Sequence, residues 1–238
     1  MLCVVCDQKV RESIEVIYED NHLIVINKAC GVLVQGDETG DLPLVEICKE
    51  YIKDKYHKPG EVFLGVVHRL DRPVSGVVVF ARTSKALSRM NELFRSRETR
   101  KVYWAITNLQ PSDKVGKLVH WLRKDEIKNK TTVFTREMAG TQHAELEYKV
   151  LGSSGGWWLL EVCPVTGRSH QIRAQLASMG SAILGDLKYG SLVPTDGSSI
   201  ALHARSLTFV HPVKKVPLTL VAALPSTEWW RRFHRKQS

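Results

Sequence analysis

The chain has 238 residues, 43% of them hydrophobic, enough for a buried core in one large domain or two small ones. Lysine and arginine total 34 against 25 acidic residues, and the formal charge of +9 suits a polyanionic partner or a solvated basic surface. The start carries neither a basic n-region nor a long apolar stretch, no apolar run has the length of a bilayer, and five cysteines in no framework spacing argue against a disulfide-stapled secreted domain, so a cytoplasmic protein is expected.

Ile14 to Tyr18 and Leu23 to Ile26 read as two strands around the polar turn Glu19-Asp20-Asn21-His22. From Leu44 the apolar positions Leu44, Ile47, Cys48, Tyr51 and Ile52 recur at helical spacing, with Asp41 as the expected cap. Gly76 to Phe80 has the length and β-branched content of a buried strand. Ser84 then opens a helix with Leu87, Met90, Leu93 and Phe94 inward and Lys85, Arg89, Arg95 and Arg97 outward. Strands are expected over Val102 to Thr107, Leu118 to Leu122, Thr131 to Thr135, Ala144 to Val150 and Trp157 to Val162. Within them Ala144, Leu146, Tyr148 and Val150 alternate as a half-buried strand should. A helix over about Ser169 to Met179 stops at Gly180, and a Ser-, Pro-, Gly- and Asp-rich surface loop covers Ser191 to Ser199. Strands near Ala204 to Val210 and Leu218 to Ala222 precede a last helix, capped by Ser226 and bearing Trp229, Trp230 and Phe233.

Strands outnumber helices and do not alternate with them, so the expected fold class is α+β, a mixed, largely antiparallel central sheet flanked by helices. A single domain over 1–238 is the simplest partition, with an N-terminal extension over 1–13 and a basic helix or tail over 225–238.

Two segments concentrate polar chemistry. His68-Arg69-Leu70-Asp71-Arg72-Pro73-Val74-Ser75-Gly76 lies between two apolar β-like runs, on a loop at a sheet end; Asp71 there is either a reactive carboxylate or the cap of a turn preset by Pro73. Thr166-Gly167-Arg168-Ser169-His170-Gln171-Ile172-Arg173 leads into a helix, where backbone donors and two arginines suit phosphate or carboxylate, or form an ordinary cap with surface arginines.

Taken together, these segments resemble the RluA family of pseudouridine synthases. The resemblance rests on His68-Arg69-Leu70-Asp71 with Ser75-Gly76, on Arg100-Lys101-Val102-Tyr103 and on Thr166 to Arg173. It extends through Ile183-Leu184-Gly185-Asp186 with Lys188-Tyr189-Gly190 to Ala201-Leu202-His203-Ala204. Leu23 to Gly31 is similar to that family's first motif, with Ala29 where proline is usual. Pro73-Val74 and Ala174-Gln175 also depart from the common pattern, which bears on the RNA target rather than on the reaction. Many relatives carry an N-terminal S4 RNA-binding domain; the few residues before Ile14 leave no space for one, so a stand-alone catalytic domain is expected.

The resemblance implies a pseudouridine synthase catalytic-domain fold and an isomerase of uridines in structured ribosomal or transfer RNA. It implies Asp71 as the catalytic aspartate, Tyr103 as the active-site tyrosine, Arg173 as the basic partner of Asp71, and Arg69 as the residue that fills the gap left by a flipped uridine. His68, Arg72, Lys101, Arg168 and His170 are further expected RNA contacts. The reaction breaks the bond from C1′ to N1, turns the base and joins C1′ to C5, with no net oxidant or reductant, so no cofactor is expected. A carboxylate can begin it, at sugar or base, if it stays ionised in a cleft that excludes water; burial opposes ionisation and a nearby arginine favours it. Tyr103 can accept the C5 proton, directly or through water, or stack on the uracil. The target base must leave its stack, a cost of a few kcal/mol, and a basic surface including Lys85, Arg89, Arg95, Arg97 and the tail Arg231 to Lys236 is expected to help offset it.

Cys3-Val4-Val5-Cys6 has the spacing of half a metal site, but no second half accompanies it, and no metal is expected. A non-catalytic basic RNA-binding module is the alternative reading. A Ser-His-Asp hydrolase is disfavoured, since no Gly-x-Ser-x-Gly elbow occurs. The architecture resembles enzymes that work as monomers.

Overall fold

The computed structural model describes residues 14–233, which fall into two compact units. One comprises residues up to Thr99 together with Ser206–Ala223; the other comprises Arg100–Arg205 and residues from Leu224 onward. The expectations attached to Cys3 and Cys6, and to His234, Arg235 and Lys236, lie outside the described residues.

The first unit opens with the hairpin β1 (Glu15–Glu19) and β2 (Leu23–Lys28). Its turn is tied by Asp20, whose carboxylate accepts from the backbone N–H of His22 and Leu23 at 2.8 and 2.9 Å. α1 (Leu44–Lys55) follows, then β3 (Gly65–Val66), β4 (Ser75–Ala81) and α2 (Ser84–Arg95). β4 lies antiparallel between β2 and β3. The second half of β10 (Leu202–Val210) pairs antiparallel with β11 (Pro217–Val221). Strand alternation sends Leu23, Val25, Val77, Val79, Leu207 and Phe209 to one face, where α2 contributes Ala86 and Met90. Each such buried side chain removes enough apolar surface from water to contribute about 1.5–3 kcal/mol.

Two local expectations, the Asp41 cap and the outward Arg89, are corrected. Asp41 does not cap α1: the N-cap is Pro43, and the first N–H groups of the helix are satisfied by the carbonyls of Leu33 and Val34, leaving Asp41 to pair with Arg72 at 2.7 Å. α2 opens at Ser84 as expected, capped by Thr83, whose hydroxyl accepts from the N–H of Ala86 at 3.1 Å. Arg89, read as an outward solvated group, is half-buried and donates to the carbonyl of Pro212 at 3.0 Å.

The second unit is built on an antiparallel sheet whose neighbours are not all consecutive in the chain. β5 (Arg100–Thr107), β6 (Val115–Asp125), β7 (Lys130–Phe134), β8 (Gln142–Ser154) and β9 (Trp157–Pro164) stand in the order β5-β9-β8-β6-β7. On β8 the alternating Ala144, Leu146 and Tyr148 are buried, and the register sets Tyr148 opposite Val162. α3 (Gln171–Ser178) lies against β6 and β7. It starts two residues later than expected because His170 adopts left-handed backbone, φ 53° and ψ 19°. It ends at Gly180 as expected, in the left-handed conformation at φ 83°, with the N–H of Ser181 returning to the carbonyl of Leu176.

A single 3₁₀ turn, Leu187–Tyr189, precedes the Ser191–Ser199 loop, whose Asp196 accepts from the backbone N–H of Ser198 and Ser199. The last helix, α4 (Glu228–Arg231), is one turn long with Thr227 rather than Ser226 at its N-cap. It buries Trp230, and Phe233 just beyond it is buried too. Arg232 is held over the Trp157 ring at 4.5 Å. The architecture is therefore mixed α+β with largely antiparallel strands, and among the described residues no helix is long and apolar enough to cross a membrane.

Candidate active site

In the first unit, β2 ends and β4 begins side by side, with Lys28 opposite Gly76 in the register. Antiparallel pairing therefore brings the Ala29–Val32 loop beside the loop that carries Asp71. Lys28 is 1% exposed, and its ammonium donates to the carbonyls of Ala29, Val32 and Arg72 at 2.9, 2.8 and 3.1 Å. The Arg72 carbonyl also accepts from the N–H of Gly31 at 2.9 Å, while its Nε donates back to the Gly31 carbonyl at 2.9 Å. The residue next to Asp71 is thus anchored by backbone and side chain, and the N–H of Val74 closes a turn onto the Asp71 carbonyl at 3.0 Å.

Burial lowers the Lys28 ammonium to about 8, and the Cys30 thiol and the Asp71 carboxylate act in the opposite direction. Lys28 is thus within electrostatic reach of Asp71 as well as being the tie that shapes its loop. Asp71 itself is half-buried, and Leu70 and Val74 on either side are buried. Arg69 and Arg72 are exposed. His68 is engaged inside the unit, stacked on Phe94 at 4.9 Å and accepting the N–H of Val79 at Nε2.

In the second unit, Tyr103 sits half-buried on β5, opposite Val162 of β9. The Lys101 ammonium approaches Gly167, in the second polar segment. That segment is folded by Gln171. Its Oε1 accepts from the Thr166 hydroxyl at 2.8 Å and the Arg168 N–H at 3.0 Å, and its Nε2 donates to the Glu145 carbonyl at 3.0 Å. Arg168 is half-buried, with Nε donating to the carbonyl of His143. His170 is buried, and its Nδ1 lies 2.8 Å from the Tyr189 hydroxyl.

Arg173 is 5% exposed, and Asp186 grips it in a fork: Nε to Oδ2 at 2.7 Å and Nη2 to Oδ1 at 2.9 Å. The guanidinium also lies 5.1 Å from the centre of the Tyr189 ring. Asp186, Tyr189 and Lys28 stand inside the short motifs of the sequence, and that placement is the one sequence signal that points to them.

The family profile of RNA pseudouridylate synthases matches residues 22–178. The chain is 31% identical, over 88% of its length and 67% of the relative's, to ribosomal large subunit pseudouridine synthase C of Buchnera aphidicola subsp. Schizaphis graminum. It is 29% identical, over 89% of its length and 91% of the relative's, to tRNA pseudouridine synthase C of Vibrio cholerae serotype O1. Against the ribosomal synthases C it spans about two-thirds of their length. Among solved structures it is similar to Human RNA Pseudouridylate Synthase Domain Containing 4, with a TM-score of 0.77 and 28% identity over 98% of this chain and 96% of that one. A second human structure, RNA Pseudouridylate Synthase Domain Containing 1, shares the fold at a TM-score of 0.69 and 20% identity, covering 91% of this chain and 86% of that one. With these matches added to the motifs and the fold, the chain belongs to the RNA pseudouridylate synthase family, in its RluA-type branch.

Proposed function

We propose that this protein isomerises specific uridines to pseudouridine in ribosomal or transfer RNA, with Asp71 as the catalytic carboxylate. The observation that carries the reading is the Asp71 loop: a half-buried carboxylate on a turn whose neighbouring carbonyl is fixed by a buried ammonium. Such preorganisation is what a carboxylate needs in order to act on one atom of a substrate rather than to cap a turn.

In this reading Asp71 attacks the target nucleotide or stabilises positive charge at its sugar as the bond from C1′ to N1 breaks. The base turns, C5 bonds to C1′, the C5 proton leaves, and N1 ends protonated. Arg173 serves as the basic partner of Asp71, and its fork with Asp186 supports this role by fixing the guanidinium. Tyr103 accepts the C5 proton, directly or through water, or stacks on the uracil. Arg69, exposed beside Asp71, fills the space vacated by the extruded base, for which a flat guanidinium that both stacks and bonds is suited. Arg72, Lys101, Arg168, His68 and His170 contact RNA in this scheme; for His68 the contact is limited to what its packing on Phe94 leaves exposed. No cofactor takes part.

The test is Asp71→Asn. RNA transcripts incubated with wild type acquire pseudouridine, read as stops after carbodiimide treatment and reverse transcription, and the variant leaves them unmodified while binding them with unchanged affinity. Pseudouridine formed by the variant refutes the assignment.

A further inference from the structure

Three features of the second unit converge on one phenol. The Tyr189 hydroxyl accepts the backbone N–H of Thr131 at the start of β7, at 2.7 Å, and lies 2.8 Å from Nδ1 of His170, just ahead of α3. The N–H of Thr131 can only donate, so the phenolic oxygen accepts there, and a second hydrogen bond joins it to Nδ1 of His170. The ring of Tyr189 meanwhile lies under the Arg173 guanidinium at 5.1 Å and under the Lys130 ammonium at 5.5 Å. Tyr189 is itself 9% exposed and fixed by the 3₁₀ turn, its N–H returning to the carbonyl of Asp186 at 3.0 Å. Asp186 and Tyr189, three residues apart, therefore hold Arg173 by an edge and by a face, and only Tyr189 also reaches His170 and β7.

We propose that Tyr189 is a positioning residue for the isomerisation: its ring sets the plane of Arg173, its hydroxyl holds the His170 imidazole, and through Thr131 it ties both to β7. This rests on the isomerase reading above. The fork with Asp186 fixes the guanidinium within its own plane and constrains its tilt less. The ring limits that tilt in a buried place, and burial also raises the phenol's pKa, so the hydroxyl stays protonated. A role in positioning affects turnover. A role in holding RNA affects affinity.

The experiment measures kcat and KM from tritium released when transcripts of ribosomal and transfer RNA labelled at uridine C5 are incubated with wild type, Tyr189→Phe, Tyr189→Leu and Asp71→Asn. Thermal melts of each protein accompany the assay. Tyr189→Phe keeps the ring and loses the hydroxyl, so kcat falls about fivefold to tenfold, as for one lost hydrogen bond. Tyr189→Leu loses both, and kcat falls about a hundredfold, as for a catalytic group displaced by an ångström. KM stays within about twofold in each, and the Phe variant's partial recovery over Leu assigns the difference to the ring. If Tyr189→Leu does not fold, the Tyr189→Phe result decides alone. Wild-type kcat in the folded Phe variant, or a raised KM at unchanged kcat, overturns the positioning role. Absence of release by wild type, or release by Asp71→Asn, instead overturns the isomerase reading on which it rests.

Discussion

Arg173 and Asp186 meet edge to edge, with two bonds of 2.7 and 2.9 Å and side chains 6% and 1% exposed. For a guanidinium this deep the two charge-assisted bonds offset much of the cost of leaving water, and removing the carboxylate forfeits both. Asp186→Ala is therefore expected to destabilise the protein by about 3–5 kcal/mol and to lower turnover with it. Urea unfolding checks this, and a loss under about 0.5 kcal/mol, the range of ordinary surface substitutions, contradicts it.

Lys28 supports the other half of the chemistry. Lys28→Met keeps the length of the side chain but leaves the carbonyls of Ala29 and Val32 without their ammonium donor and removes one of two donors from Arg72. We expect a stability loss of about 2 kcal/mol together with a drop in kcat of about tenfold or more, at unchanged RNA affinity. Stability and kcat both at wild-type values in Lys28→Met would show that the Asp71 loop holds its shape without the ammonium.

The β1–β2 turn makes stability depend on pH. Burial raises the Asp20 carboxyl, but it is outweighed by bonds from Lys214, from the N–H groups of His22 and Leu23 and from the Tyr18 hydroxyl, so Asp20 sits well below the usual carboxylate range. A depressed folded value means stability that is fully present above the unfolded value of about 3.9 and lost as pH falls toward the folded one. His211, with a nitrogen 3.1 Å from the same carboxylate, is held by burial below the ordinary histidine range and adds a loss of the same sign that begins near pH 6.5. Denaturation between pH 7 and 3 should show wild type losing more stability than Asp20→Asn, by on the order of 1–2 kcal/mol. Parallel curves for the two proteins would remove Asp20 as the cause.

Much of this architecture could be read from residue pattern. The alternation of Ala144, Leu146 and Tyr148 marks β8 because a strand with one buried face must repeat every second residue, and the glycine after α3 marks its end because the left-handed turn there excludes most side chains. Asp71, Tyr103 and Arg173 stood out through short motifs. The partnerships did not, because they depend on three-dimensional closure rather than on period. Asp41 looked like a helix cap by its position before Leu44, yet the Leu33 and Val34 carbonyls satisfy that helix start and free Asp41 for Arg72. Lys28 stands at a strand end, where nothing in its sequence surroundings shows that three carbonyls converge on its ammonium. Asp186 lies 13 residues from Arg173, a separation that matches no helical or strand repeat. The left-handed backbone of His170, which delays α3, carries no signal of its own, histidine being only somewhat more tolerant of it than other side chains.

If the Asp71 carboxylate performs the isomerisation, pseudouridine formed per RNA molecule separates wild type from Asp71→Asn at equal, saturating enzyme. Wild type is expected to modify one or a few uridines stoichiometrically and the variant none above background, with both proteins retaining RNA at the same concentration. Modification by Asp71→Asn at the same uridines contradicts it.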